Sequence, residues 1–295
     1  MTSQSKLTPP LKWHGGKYYL AKEIVAMMPP HLAYVEPFFG GGQVLFARDS
    51  QRDWFVGGGD QTGKLPPHLS GSSEVINDIH GELMNFWRVL QDDDLLAQFR
   101  RRVEATSFSQ VEFDEAADYA TGSQVERAVK FFIRARQSRQ GLMKDFATLT
   151  RNRTRGGKHN GGHGINEQAS AWLSVVEGLP DVHHRLRGVI ILCDDALKLI
   201  CQQDGDKVLM YLDPPYLHGT RVTTNDYQFE MTDEVHAELI STIKQCKAKV
   251  ILSGYPNDLY DRELADWNRK DISIDNKASG KRTKDKKTER LWTNF

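Results

Sequence analysis

Residues 211–216 read Tyr-Leu-Asp-Pro-Pro-Tyr at the end of the apolar run Val208–Leu212. Two consecutive prolines remove two backbone donors and restrict φ, which leaves the Pro214 carbonyl free to accept a hydrogen bond in a rigid loop. Asp213 supplies a second acceptor. Two acceptors suit an exocyclic amine with two N–H groups, and Tyr216 adds an aromatic face on which a base can stack. Open α/β sheets place their sites outside the carboxyl ends of strands, and this run follows one. Asp213, Pro214, Pro215 and Tyr216 are therefore the candidate catalytic residues; the plain alternative is a structural turn with a surface acid.

Three further segments carry candidate chemistry: Lys12-Trp13-His14-Gly15-Gly16-Lys17, Val35-Glu36-Pro37-Phe38-Phe39-Gly40-Gly41-Gly42 and Ile76-Asn77-Asp78-Ile79. A strand ending in a glycine turn lets a ligand approach the backbone and aims a helix N-terminus at it. An acid at the end of the next strand is placed for ribose hydroxyls, and Asp78 fits. The turn is not GxGxxG, and no GxxxxGK[ST] occurs, so neither a dinucleotide nor a nucleoside triphosphate is the natural ligand. Three cysteines, Cys193, Cys201 and Cys246, form no CxxC pair. His159 and His163 lie in a glycine-rich loop without an acid cluster, so no metal site is expected.

These segments need a scaffold. Apolar runs of strand length fall at Ala33–Phe38, Glu74–Asp78, Val189–Cys193, Val208–Leu212 and Val250–Leu252, and helical spacing falls between them. Helices are expected from Gln43, around Leu83–Leu90, around Val129–Arg136, at Leu197–Ile200 and over Val235–Cys246. Alternating strands and helices imply an α/β fold with a mostly parallel sheet. Residues 49–73 read as a loop, as does Arg151–Gly164. The stretch 105–185 lacks the alternation and reads as an inserted, mainly helical lobe, with residues 1–104 and 186–295 forming the sheet domain.

The chain has 295 residues and no formal net charge at pH 7. Zero net charge by itself speaks weakly against a nucleic-acid partner; its distribution speaks for one. Arg134, Arg136, Arg139, Lys144, Arg151, Arg153, Arg155 and Lys158 face a single acid, Asp145, across that stretch, and a second basic run spans Lys277–Arg290. Such a concentration can present a basic face to phosphates, although a solvated loop has the same composition. No apolar run spans a bilayer and the first residues lack a secretory core, so a cytoplasmic protein with no membrane contact is expected.

The four segments in this order resemble the Dam-like, or D12 class, adenine-N6 DNA methyltransferases. Target recognition lies between the cofactor half and the catalytic half, the alpha-group arrangement. The resemblance implies a Rossmann-like methyltransferase sheet, S-adenosylmethionine as methyl donor and double-stranded DNA as partner, with the adenine flipped out. It places Trp13, Lys17, the turn Phe39, Gly40, Gly41 and also Ile79 at the cofactor, with Asp78 at the ribose and Asp213 shared with catalysis. Cys193-Asp194-Asp195-Ala196 resembles the family's third cofactor element. Asp195 is favoured for the adenine contact, with Asp194 as a helix cap in the plain reading. Glu36 is placed near the methionine moiety or, alternatively, paired with Lys17. The central region does not copy GATC-reading sequences, so the target sequence stays open, as does the oligomeric state.

Competing functions are methylation of another planar amine such as cytosine N4 or a glutamine amide, an inactive methyltransferase fold that only binds DNA, and a restriction endonuclease. The first more typically carries Ser or Asn at the position of Asp213, the intact Asp213–Tyr216 run speaks against the second, and no PD…(D/E)xK pattern supports the third.

Overall fold

The computed structural model describes residues 7–48, 73–147, 154–156, 164–217, 229–275 and 286–295. Nine strands fall among them: β1 Ala33–Glu36, β2 Ser73–Asn77, β3 Thr154–Gly156, β4 Gly164–Asn166, β5 Val189–Leu192, β6 Val208–Leu212, β7 Lys249–Gly254, β8 Asn268–Asp275 and β9 Lys286–Thr293. Seven form one sheet in the order β5-β2-β1-β6-β7-β9-β8. Strands β2, β1, β6 and β7 run parallel, whereas β9 runs antiparallel to both β7 and β8. The chain leaves β1 toward β2 on one side and later places β6 and β7 on the other. The strand order therefore reverses between β1 and β6, the crevice where open sheets hold their ligands.

The expected α/β sheet is present, with β6 spanning the run read from sequence. Two strand pairs were not expected. Within Arg151–Gly164, read as a loop, Thr154–Gly156 pairs antiparallel with Gly164–Asn166. The C-terminal hairpin β8–β9 also went unread. Strand β8 is Asn-Arg-Lys-Asp-Ile-Ser-Ile-Asp, polar at most positions, and its strand state follows from pairing with β9 rather than from apolar patterning.

Two compact units divide the chain. One comprises Met28–Phe39, Ser50–Ile79 and Leu192–Phe295, the other Met1–Met27, Gly40–Asp49 and His80–Ile191. The former holds most of the sheet, covered by α9 Ala196–Gln202, α10 Asp233–Gln245 and α11 Asp258–Glu263. Its core gathers Val35, Val75, Met210, Leu212, Val250 and Leu252 from the strands with Leu199, Leu239, Ile243 and Tyr260 from the helices. Helix α10 starts where the Thr232 side chain accepts from the Val235 amide, with Asp233 and Glu234 complementing the helix dipole.

The other unit is helical: α1 Ala21–Met27, α2 Gln43–Ala47, α3 Gly81–Gln91, α4 Asp93–Ala105, α5 Gln110–Glu115, α6 Gln124–Gln137, α7 Glu167–Glu177 and α8 Leu179–Leu186. It is wider than the expected lobe 105–185. Aromatic packing explains the difference. Phe86 of α3 stacks on Phe132 of α6 with centroids 5.7 Å apart, and Phe132 in turn meets Phe99 of α4 and Trp172 of α7. Helices α3 and α4, which looked like the end of the sheet half, thus share a core with the central stretch. Helix α6 begins at a capping box in which Ser123 and Glu126 satisfy each other's amides.

Candidate active site at the carboxyl edge of the sheet

Asp213 follows β6 directly and is half-buried, next to the buried Pro214. Ser253, fully buried near the end of β7, donates its hydroxyl to Asp213 Oδ1 at 2.9 Å. The Tyr211 hydroxyl lies 3.1 Å from Ser253 Oγ. A hydroxyl has one proton, and the carboxylate is the stronger acceptor, so Tyr211 donates to Ser253 and Ser253 to Asp213. Burial, then the charge of Asp213, holds the Tyr211 phenol well above its ordinary value, so its proton stays in place. The relay fixes one oxygen of Asp213.

Tyr216 is buried, its ring edge-on to Tyr255 with centroids 4.6 Å apart. Its hydroxyl donates to the buried carboxylate of Glu289 on β9. Because β9 is antiparallel to β7, with Arg290 level with Gly254, Glu289 comes level with the carboxyl ends of the parallel strands. Neither Ser253 nor Glu289 was expected from sequence. Both lie in strands that share no motif with residues 211–216, and only pairing brings them there.

The same edge is tied together by Asn77, at the end of β2. Its amide nitrogen donates to the carbonyls of Pro37 and Asp194, each at 3.0 Å, and its Oδ1 accepts the Asp194 amide at 2.9 Å. Its own carbonyl accepts the Phe39 amide at 2.9 Å. Asn77 thereby fixes the turns after β1 and before α9 around itself. Asp78, the next residue, is half-buried, and Ile79 is 53% exposed. A carboxylate followed by a bare aliphatic side chain matches the polar and apolar faces of a nucleoside. Glu36, 2% exposed, accepts the Tyr34 hydroxyl at 2.7 Å.

The structure corrects one reading. The helix cap of α9 is Asp195, whose side chain accepts the Lys198 amide at 2.9 Å. Asp194 instead accepts the Asp195 amide and pairs with Lys198 Nζ at 2.6 Å, which lowers its carboxyl below the usual range. The cap falls one residue later because the Asp194 backbone is held by Asn77.

In the helical unit, Trp13 is half-buried with its ring 6.0 Å from those of His80 and Phe131. Lys17, 7% exposed, donates to the Gly15 carbonyl at 3.0 Å. Gly40 has φ +52°, and a Cβ there would stand 3.0 Å from the Trp13 indole. The turn therefore offers bare backbone beside an aromatic ring, a cradle that any side chain would fill. Trp87 Nε1 donates to the Gly40 carbonyl at 3.2 Å and holds the turn.

The basic run has mixed employment. Arg134 stacks on Phe113 at 3.7 Å and donates to the carbonyls of Phe113 and Met143. Arg136, half-buried, donates to the Ala171 carbonyl at 3.2 Å, and burial lowers its guanidinium to about 10. Both side chains thus have internal work that the sequence did not suggest. Arg139 and Lys144 are exposed. Arg151, Arg153, Lys158, His159 and His163 lie outside the described residues, as does the Arg155 side chain. In the C-terminal run, Arg290 is held by Asp261 at 2.8 Å and by Asp271.

Among the described residues no group of His, Cys, Asp and Glu is placed to hold a metal ion, and no helix is long and apolar enough to cross a membrane.

An acid backed by a hydroxyl relay, followed by two prolines and an aromatic ring at the carboxyl edge of a parallel sheet, agrees with a sequence comparison. The family of D12 class N6 adenine-specific DNA methyltransferases matches residues 13–277. The chain belongs to this family. As a D12 class enzyme it acts on DNA, methylates adenine at N6 and needs a methyl donor. It is 24% identical to "Type II methyltransferase M.MjaIII" of Methanocaldococcus jannaschii, over 90% of this chain and 91% of that one. It is 25% identical to "Type II methyltransferase M1.LlaDCHI" of Lactococcus lactis subsp. cremoris, over 98% and 96%. It is also 25% identical to the "DNA N-6-adenine-methyltransferase" of Escherichia phage P1, over 83% of this chain but 30% of that protein.

Proposed function

We propose that this D12 class enzyme takes S-adenosylmethionine as its donor and acts on an adenine turned out of double-stranded DNA. The observation that carries the reading is Asp213, fixed through one oxygen by Ser253 and followed by Pro214 and Tyr216. An adenine within a duplex cannot present N6 to a site at a sheet edge, so it leaves the stack. Tyr216 offers the face that receives it. Asp213 and the Pro214 carbonyl accept the two N6–H bonds, which favours a pyramidal nitrogen and aims its lone pair. Positioning and fixed electrostatics, rather than a covalent intermediate, account for the rate.

S-adenosylmethionine supplies an electrophilic methyl group on sulfur. The residues fit such a ligand: Asp78 takes the ribose hydroxyls and Ile79 an apolar face of the adenine. Asp195 contacts the base, Glu36 lies toward the methionine part, and Trp13, Lys17, Phe39, Gly40 and Gly41 complete the set. Support comes from the bare Gly40 backbone beside Trp13 and from the exposed Ile79 after Asp78.

Phosphate contacts and base readout fall to the run Arg134–Lys158 in the central lobe 105–185, with Arg139 and Lys144 the described members that are exposed. A cytoplasmic enzyme, serving restriction–modification as the names of two relatives suggest, completes the reading. The test is transfer of labelled methyl from S-adenosylmethionine to unmethylated duplex DNA, followed by digestion to nucleosides. N6-methyl-2′-deoxyadenosine is expected; N4-methyl-2′-deoxycytidine, or no label in DNA, overturns the reading.

A further inference from the structure

Glu289 is a buried carboxylate on β9 that accepts the Tyr216 hydroxyl. Its neighbours on the inward face of β9 are Leu291 and Thr293, and it stands opposite Ile272 of β8. An apolar side chain would satisfy that pattern. Burying an ionised carboxylate is costly unless it is hydrogen-bonded, and well-packed apolar residues generally serve stability as well or better. The acid is therefore poorly explained as a simple brace, and its partner is the tyrosine after the two prolines.

We propose that Glu289 is a positioning residue that acts through the Tyr216 hydroxyl, fixing the ring plane and enriching its π face for the stacked adenine. The proposal rests on the reading of Tyr216 as the stacking platform. A phenol ring turns about its last torsion, and because its O–H prefers the ring plane, a charge-assisted hydrogen bond at the far end favours one ring orientation. The edge contact with Tyr255 braces the ring from the side. Burial, followed by Asp213 and Glu289, holds the phenol well above its ordinary value, so the proton stays on Tyr216 and Glu289 stays the acceptor. A phenol that gives its hydrogen bond to a carboxylate has an electron-rich ring. As N6 forms its bond to the methyl carbon, positive charge spreads into the adenine, and such a face attracts it. The contribution is thus largest in the transition state, which raises turnover rather than affinity.

Single-turnover methyl transfer separates the possibilities. Glu289→Leu and Tyr216→Phe should each slow the step about tenfold, while the dissociation constant of S-adenosylhomocysteine stays within about twofold. The double variant should be no slower than Tyr216→Phe alone. Glu289→Gln, which keeps an acceptor oxygen without the charge, should fall between wild type and Glu289→Leu. If Glu289→Leu slows the Tyr216→Phe enzyme as much as it slows wild type, or leaves wild type unaffected, Glu289 does not act through the tyrosine. Should Glu289→Leu fail to fold, Glu289→Gln in the Tyr216→Phe background serves instead, with no further slowing expected. Tyr216→Ala tests the platform itself: about a hundredfold loss is expected, and a rate near wild type removes that reading whatever Glu289 does.

Discussion

The Ser253 hydroxyl donates to Asp213 Oδ1 at 2.9 Å, across neighbouring strands and 40 residues apart in sequence. With one carboxylate oxygen so engaged, the other is presented in a fixed direction. Ser253→Ala should therefore lower kcat about tenfold, the rate equivalent of roughly 1.4 kcal/mol, and leave cofactor affinity unchanged. Tyr211→Phe should cost less, because Ser253 keeps its own proton for Asp213. Steady-state kinetics on a duplex substrate check both, and an unchanged kcat in Ser253→Ala would show that Asp213 needs no support.

Asp213→Ala removes one of the two proposed amine acceptors while the sheet around it should stay intact. Methyl transfer should fall at least about a hundredfold with an unaltered circular dichroism spectrum. Retention of more than about a tenth of wild-type turnover contradicts the role.

Asp78→Ala should weaken S-adenosylhomocysteine binding by roughly 1.5–3 kcal/mol, the worth of a charge-assisted hydrogen bond, and leave DNA affinity alone. Calorimetry decides it; an unchanged dissociation constant moves the ribose contact elsewhere.

Asn77 makes three side-chain hydrogen bonds to the turns on either side of its strand. Truncation leaves buried backbone groups unpaired, so Asn77→Ala should destabilise the protein by about 2–4 kcal/mol in urea unfolding. A midpoint within error of wild type would show that water replaces the amide.

The basic residues should sort by what they touch. Arg139→Ala and Lys144→Ala should weaken binding to all duplexes alike and flatten the salt dependence by about one unit of slope, or, for a base reader, cost about 1–3 kcal/mol at one position of the site. Arg134→Ala should chiefly lower thermal stability, because its guanidinium braces the Phe113 and Met143 carbonyls. If these changes leave affinity and methylated-site profile untouched while changes across Lys281–Lys287 alter the profile, readout belongs to the C-terminal run.

The sequence by itself was enough to read the family and its reaction: the run Asp213 to Tyr216 joins an acid, two prolines and a ring within one short segment, which local composition shows. It also determined the parallel sheet, because β1, β2, β6 and β7 are apolar runs punctuated by helices and glycine turns. Tertiary structure alone decided what holds those groups. Ser253, Tyr211, Asn77 and Glu289 act through contacts with residues distant in the chain, and local spacing does not say which distant group a polar residue inside a strand will meet. Strand order and direction did that work: parallel β7 sets Ser253 beside Asp213, and antiparallel β9 delivers Glu289 to the same edge. The breadth of the helical unit was hidden for the same reason, since the stacking of Phe86 on Phe132 is a matter of packing and not of pattern.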